Sequence, residues 1–467
     1  MTPQNIKEKS YDLIIIGAGP AGMSAATTAA TKGLSVAILD EQTSPGGQIY
    51  RAIKYSPLNN PKILGKDYYT GKDLLQPFEK SQVSYFSNSV VWSIDEKNQV
   101  AFSYHGKSQL FRAKKILIAS GAIERPVPFP GWTLPGVMTC GAAQILLKTS
   151  GLTPKTPLVL AGSGPLMLLI AVQLMKAGVT ISAILDTTPK GQLWRALPHF
   201  ANALKNLPLL YKGMGLLWTL KKSGIRFIKH VKELKAIEGI DGQLTGVIAS
   251  TKNAMVQLDC QSLLVHQGVV PNVQLSRALG LDHKWNNLQV CWKPVVDAWG
   301  ESSRKDIFIA GDGSGIAGAI AAKWQGKLSA LKIAQQVKNL GDGEVESEVK
   351  QANKSLNKQQ AIRPFLDQLY QPAQTFLTPP DDTIVCRCEE VSAGEIRQIA
   401  KQGCKGPNQA KAFCRAGMGP CQGRLCGLTV SNLIAQTNQV SQEQVGYYHI
   451  RMPIKPLTIN ELADLSD

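Results

Sequence analysis

The sequence predicts an α/β protein with two three-layer units, each a parallel sheet between helices, followed by a small helical module rich in cysteine. Three observations predict it. An apolar run, Tyr11-Asp12-Leu13-Ile14-Ile15-Ile16, leads into the loop Gly17-Ala18-Gly19-Pro20-Ala21-Gly22 and an alanine-rich stretch with helical character. The same order recurs at Pro157: a short apolar strand, Gly162-Ser163-Gly164-Pro165, and an uncharged helical stretch. Six of nine cysteines fall between residues 386 and 426. A chain of 467 residues also exceeds what one hydrophobic core supports, so several domains are expected.

In the first unit each glycine has a task. Gly17 permits the tight turn, Gly19 lets backbone approach a pyrophosphate, and Gly22 lets the helix pack against the strand. Pro20 and Ala21 complete the loop, and the helix N-terminus offers unpaired N–H groups and the positive end of its dipole to phosphate. The strand Leu34–Leu39 ends at Asp40, twenty-three positions after Gly17, where an acid accepts hydrogen bonds from an adenosine ribose. These features predict a Rossmann-like unit with an ADP-containing ligand, flavin or nicotinamide. Glu41 follows directly. The turn Pro45-Gly46-Gly47-Gln48 would lay Gly47 and Gln48 against the nucleotide. Residues 60–113 read as an insertion with short strands. The strand Lys114–Ala119 ends in Ser120-Gly121-Ala122, and small residues there suit close passage of a ligand, which adds Gly121 to the site.

A proline-rich connector leads to the second unit. Its strand Ile181–Leu185 ends at Asp186, twenty-four positions after Gly162. Met167 stands at the third glycine position, where a long side chain is expected to push the helix off the strand. A retained fold with a closed or repurposed pocket is favoured over a working NAD(P) site. Residues 189–222 read as a helical insertion. His266, in His266-Gln267-Gly268-Val269-Val270-Pro271-Asn272, reads as structural, with proton donation the alternative. The strand Asp306–Ala310 returns to the first unit and ends at Gly311-Asp312, with a helix from about 315 to 337. The domain reading is 1–150 and 276–337 for the first unit and 151–275 for the second. A linker with two helices (338–380), the cysteine module (381–437) and an extended tail (438–467) follow.

In the module, Cys386-Arg387-Cys388 is followed by Cys421 and Cys426, a C-x-C, long gap, C-x4-C pattern. Four thiolates from two short turns suit a [2Fe–2S] cluster or a tetrahedral zinc equally on spacing. Glycines 417, 419 and 423 free N–H groups for cluster sulfurs, and Arg387, Arg415 and Arg424 are placed to offset negative charge. A helix over 393–402 is expected between the pairs. Cys404 and Cys414 read as spare thiols.

The net charge of +17 is spread over dispersed lysines, with no Lys/Arg block interleaved with aromatics, so nucleic-acid binding is not expected. An acidic protein partner or peripheral membrane association remains compatible with it. The glycine loop at 162–165 breaks the uncharged window 157–175, which excludes a transmembrane reading there. Met1–Ser10 lacks the character of a signal peptide, and the cysteine usage suits a reducing, cytoplasmic location.

The GAGPAG loop, the connector GAIERPVPFPGWTLPGV, HQGVVPN, IFIAGDGSGIAGA and CRCEEV…CRAGMGPCQGRLC together resemble one group. These are the FAD-dependent, pyridine-nucleotide-disulfide-oxidoreductase-like subunits of heteromeric amino-acid and amine dehydrogenases. Opine oxidase A-type subunits, the B-type flavoprotein subunit of hydrogen cyanide synthase and the α subunits of sarcosine oxidase and proline dehydrogenase are of this kind. The C-terminal part resembles the [2Fe–2S] domain of bacterioferritin-associated ferredoxin. The resemblance implies FAD on Gly17, Gly19, Gly22 and Asp40, with Asp312 at the ribityl and pyrophosphate end. It implies a [2Fe–2S] cluster on Cys386, Cys388, Cys421 and Cys426. It implies electron transfer within a complex whose partner, similar to D-amino-acid oxidase, oxidises a C–N bond, beside a small ferredoxin-like subunit. Gln48-Ile49-Tyr50-Arg51 lacks the C-x4-C redox pair of disulfide reductases. No acid/base pair for substrate oxidation is evident. The rival readings are a self-contained NAD(P)H-dependent reductase and a basic binding protein with a zinc staple.

Overall fold

The computed structural model describes residues 9–465. The residues before Lys9, which argue against a signal peptide, lie outside that range. The first sheet forms around β1 (Lys9–Ile16), with β2 (Val36–Leu39), β3 (Ser84–Phe86), β4 (Ser89–Ile94), β5 (Gln99–Tyr104) and β6 (Lys107–Ile118) in the order β3-β2-β1-β6-β5-β4. β1 is parallel to β2 and β6, with Ile14 opposite Ala37 and Ile116. Leu13–Ile16 are buried on both faces, which is why the strand reads as a continuous apolar run. β4 and β5 add an antiparallel flap. Helices Pro61–Leu64, Lys66–Tyr69 and Lys72–Glu79 precede β3, so the first third of the expected stranded insertion is helical. Leu75 and Phe78, three apart on one helix face, bury there and outweigh the polar residues around them.

Two short strands carry the chain out of this sheet and back. β7 (Ala122–Glu124) leaves, and β8 (Val137–Thr139) and the helix Cys140–Ser150 follow. A second sheet contains β8, β9 (Leu158–Ser163), β10 (Ile181–Asp186), β11 (Arg226–Lys229) and, after the antiparallel ribbon β12–β14 (Glu233–Glu238, Leu244–Ser250, Met255–Asp259), β15 (Ser262–Gln267). Its order is β11-β10-β9-β15-β8, all parallel. β16 (Val269–Pro271) returns antiparallel to β7, with Val270 opposite Ile123. The hairpin β17–β18 (His283–Asn286, Cys291–Pro294) precedes β19 (Ile307–Ile309), which closes the first sheet by pairing with β6.

The return helix runs Ala319–Lys338 and starts later than the sequence predicts. Asp312 is the cause: its Oδ1 accepts from the N–H groups of Ala317 and Gly318, both at 2.8 Å, and holds the preceding residues in a loop. Helices Glu346–Gln360 and Arg363–Leu369 occupy the linker. In the C-terminal part, β20 (Ile384–Cys386) pairs with β21 (Val391–Ser392) ahead of helices Ala393–Lys401, Pro407–Cys414 and Gly427–Asn438. A capping box, Ser392 with Glu395, fixes the start of the first of these. Its buried residues share one apolar cluster with Ile14, Ile116 and Phe102 of the first sheet. Trp132 Nε1 donates to Ile384 O at 2.7 Å and ties the connector to it as well.

Candidate functional site

The first cradle is made of backbone. The helix Pro20–Thr31 starts at Gly19 with no side chain capping it, so its first N–H groups face outward. Gly17 has φ +103°, and a Cβ there would lie 2.6 Å from Ala119 O. A Cβ on Gly22 would run into the carbonyl oxygen of Gly17. The turn at 46–47 closes over this loop: Gly46 N donates to Ala18 O at 2.8 Å, and a Cβ on Gly47 would lie 2.9 Å from Gly19 Cα. A Cβ on Gly311 would lie 3.0 Å from Ala21 Cβ, and one on Gly313 would lie 3.4 Å from Gly121 O. Residues 17–22, 46–47, 121 and 311–313 therefore converge, and side chains are excluded from the places where a dinucleotide backbone fits.

Asp40 ends β2 at the rim of this cradle, buried. Its carboxylate is loosely held, by Gln42 N and Tyr85 OH, each at 3.4 Å. Burial pushes its pKa up to about 6. Hydroxyl donors from a ribose favour the ionised form, so binding lowers this pKa and dinucleotide affinity rises with pH. Flavin retention on dialysis is expected to fall as pH drops through about 6, and Asp40→Asn is expected to weaken retention at neutral pH and flatten that profile.

Two members of the predicted set face other partners. Glu41 pairs with Lys455 of the tail at 2.8 Å, and Gln48 Oε1 accepts from Arg51 at 2.8 Å. Lys148, not anticipated from the sequence, is buried behind this turn. It donates to the carbonyls of Gln48 and Ile49 at 3.1 and 2.8 Å. Burial lowers its pKa to about 7, with the Arg51 charge second. It lies beside Leu147 on the buried face of the helix Cys140–Ser150, and no local signal in the sequence marks it.

The second loop differs in its first turn. Met23 N meets Gly19 O at 2.9 Å, whereas the equivalent pair, Leu168 N and Gly164 O, is stretched to 3.5 Å. Met167 is buried in the core at this point. His266 is not alone. Its Nδ1 lies 2.6 Å from Glu124 Oε1, while Glu124 Oε2 accepts from Gly141 N at 2.8 Å. The pair therefore locks β7, β15 and the start of the helix Cys140–Ser150 together beneath Gly162 and Gly164. Arg125, also buried, donates to the carbonyls of Gln267, Gln289 and Val290 and holds the crossing strands.

The predicted cysteines meet in two pairs, Cys386 with Cys426 and Cys388 with Cys421. Among the described residues no three His, Cys, Asp or Glu side chains converge on a single metal-ion position. Paired thiols suit a two-iron centre better than one tetrahedral ion. A hydrogen bond from Cys426 is the largest of the effects that bring the Cys386 thiol down to about 6, and Gly417 N donates to its sulfur at 3.5 Å. Gly417 and Gly423 leave room for Tyr448, whose hydroxyl donates to Ala416 O at 2.8 Å. Two arginines expected near the sulfurs are engaged elsewhere: Arg415 pairs with Glu389 at 2.8 Å, and Arg387 stacks on Trp132. Their exposed stems find closer partners on the surface. Cys404 and Cys414 donate to the carbonyls of Gly406 and Ala410.

Residues 11–326 match the family model for pyridine nucleotide-disulphide oxidoreductases. The chain belongs to that family. Residues 384–436 match the BFD-like [2Fe-2S] binding domain. This pyridine nucleotide-disulphide oxidoreductase is 42% identical to the A-type subunit of opine oxidase from Rhizobium meliloti over 97% of its own length and 88% of the relative's. It is 31% identical to the HcnB subunit of hydrogen cyanide synthase from Pseudomonas aeruginosa, over 97% and 98%. The crystal structure of L-proline dehydrogenase from P. horikoshii shares the fold, with a TM-score of 0.71 at 18% identity, covering 98% of this chain and 80% of that one. The chain is thus an oxidoreductase of mixed α/β fold with FAD and a [2Fe–2S] cluster as its cofactors.

Proposed function

We propose that this chain is the electron-transferring subunit of a heteromeric dehydrogenase or oxidase that oxidises a C–N bond of an opine, amino acid or imino acid. FAD takes up electrons in pairs or singly and a [2Fe–2S] cluster passes them one at a time, which is the chemistry such a subunit requires. The chain's own residues hold and orient. Gly17, Gly19, Gly22 and Gly47 admit the pyrophosphate, Asp40 takes the ribose, Asp312 fixes the loop at the ribityl end, and Cys386, Cys388, Cys421 and Cys426 ligate iron. The domain division at 1–150, 151–275, 276–337 and 381–437, with both larger units of Rossmann-like, dinucleotide-binding type, needs one shift: β8 (Val137–Thr139) pairs in the second sheet, so the second unit begins before residue 137.

One observation carries this reading. The segment that follows β16 joins the two cradles directly: Asn272 N donates to Gly121 O at 3.0 Å, and two residues on, Gln274 Nε2 donates to Cys421 O and Gln422 O at 3.2 and 3.0 Å. Buried His266 and half-buried Glu124 bond to each other and to the start of the helix Cys140–Ser150 and serve as an anchor; in this reading substrate chemistry belongs to a partner. The names of the relatives, each a subunit, support a multi-subunit complex. In this reading the other members are a flavoprotein of D-amino-acid-oxidase type and a small ferredoxin-like component, and the complex is cytoplasmic. Among the described residues no helix is long and apolar enough to cross a membrane. Co-expression with such a partner, followed by dye reduction over a panel of opines and amino acids, tests the proposal. Activity is expected only when both chains are present; activity of this chain alone on any of these donors would overturn it.

A further inference from the structure

The helical insertion that leaves the second sheet after β10 exposes what proteins ordinarily bury. Eleven of the twenty-five exposed large apolar side chains among the described residues lie between Leu193 and Trp218. Trp194, Tyr211 and Trp218 are 76%, 64% and 65% exposed. On the helix Leu207–Lys222, residues Leu207, Tyr211, Met214 and Trp218 follow the 4-3-4 spacing of one face, and all are exposed. The other face packs inward through Leu210, Leu216 and Leu220. A contiguous apolar ridge of this kind marks an interaction surface.

The charge around it says which kind. From Thr187 to Lys232 there is no Asp or Glu, but nine Lys or Arg. Of these, Lys212 pairs with Asp67 from the neighbouring insertion. Protein interfaces deplete lysine at their cores, whereas here the Lys222 ammonium lies over the Trp218 ring, 5.2 Å from its centre, with Lys221 beside it. Lysines beside exposed tryptophan, tyrosine and leucine, on a segment that itself carries no acid, fit an anionic headgroup layer above a hydrocarbon boundary. No described helix is long and apolar enough to cross a bilayer, so the segment would lie on it. We infer that residues 190–222 dock this protein on the surface of an anionic phospholipid membrane through the ridge on Leu207–Lys222. This inference does not rest on the proposed substrate class.

Vesicle sedimentation of the full purified chain tests it, with phosphatidylcholine alone and with phosphatidylglycerol added. Binding is expected with the anionic vesicles, falling in high salt. Trp194→Ser with Trp218→Ser, and separately Lys221→Glu with Lys222→Glu, are each expected to weaken it about tenfold or more with flavin absorbance and melting temperature unchanged. No binding to anionic vesicles, or binding that neither double variant alters, would overturn the inference. So would a concentration-dependent dimer abolished by the tryptophan variant, or shielding of both tryptophans from acrylamide on assembly with the partner protein, since either assigns the ridge to protein.

Discussion

Gly22→Val is expected to give a protein that no longer retains flavin and is less stable by roughly 3 kcal/mol or more. The Cβ would run into Gly17 O, a backbone atom with little freedom to move. Gly17 N is bonded to Leu39 O at 2.8 Å, and its own Cβ position is closed by Ala119 O. Relief can come only by lifting the helix Pro20–Thr31 from β1. That helix packs on the return helix, where a Cβ on Gly326 would meet Ala21 O, so the displacement reaches both sides of the cradle. The flavin-to-protein absorbance ratio and a thermal melt check this. Gly213→Ala is the control: it lies in a helix with no neighbour within 4 Å of the new Cβ, and flavin content should not change.

Cys421→Ser is expected to remove the iron–sulfur absorbance and nearly all iron while flavin stays bound. The Cys421 turn is held to the flavin-binding part by Gln274, which contacts backbone carbonyls that a serine preserves. Val385, Ile396, Val430, Leu433 and Tyr448 lie buried in the cluster that the C-terminal part shares with the first sheet, and a serine at the half-buried position 421 leaves that packing in place. Iron analysis and the visible spectrum of the variant measure this. Loss of flavin together with iron would show that the two cradles fold as one unit, and zinc in place of iron in the parent protein would remove the electron path.

The parts of this molecule set by local rules were legible in the sequence. Gly17–Gly22 needs a strand before it, a helix after it and no side chains, and those are visible in the twenty consecutive residues 11–30. The same holds for the C-x-C and C-x4-C spacings of the cysteines, though not for which thiol meets which, and for the break at Gly162–Pro165 that excludes a membrane span. What escaped was non-local. Lys148 is buried because the turn at 48–49 offers it two carbonyls about a hundred residues away, and no local pattern shows that. His266 read as a lone histidine because its partner, Glu124, is 142 positions earlier. The late start of the return helix came from one carboxylate, Asp312, outcompeting helical hydrogen bonds at its first turn. Arg387 and Arg415 stand near the cysteines in sequence yet find Trp132 and Glu389 in space.

The central claim is that this chain exchanges electrons between its flavin, its cluster and a partner, and not with nicotinamide. The stretched first turn at Gly164 and the buried Met167 are its structural basis. Anaerobic stopped-flow mixing of the purified chain with NADH, and separately with NADPH, tests it most directly. The flavin absorbance is expected to persist after mixing with either, at reductant concentrations far above that of the protein. Rapid bleaching by NADH or NADPH would contradict the account and make the chain a self-contained reductase.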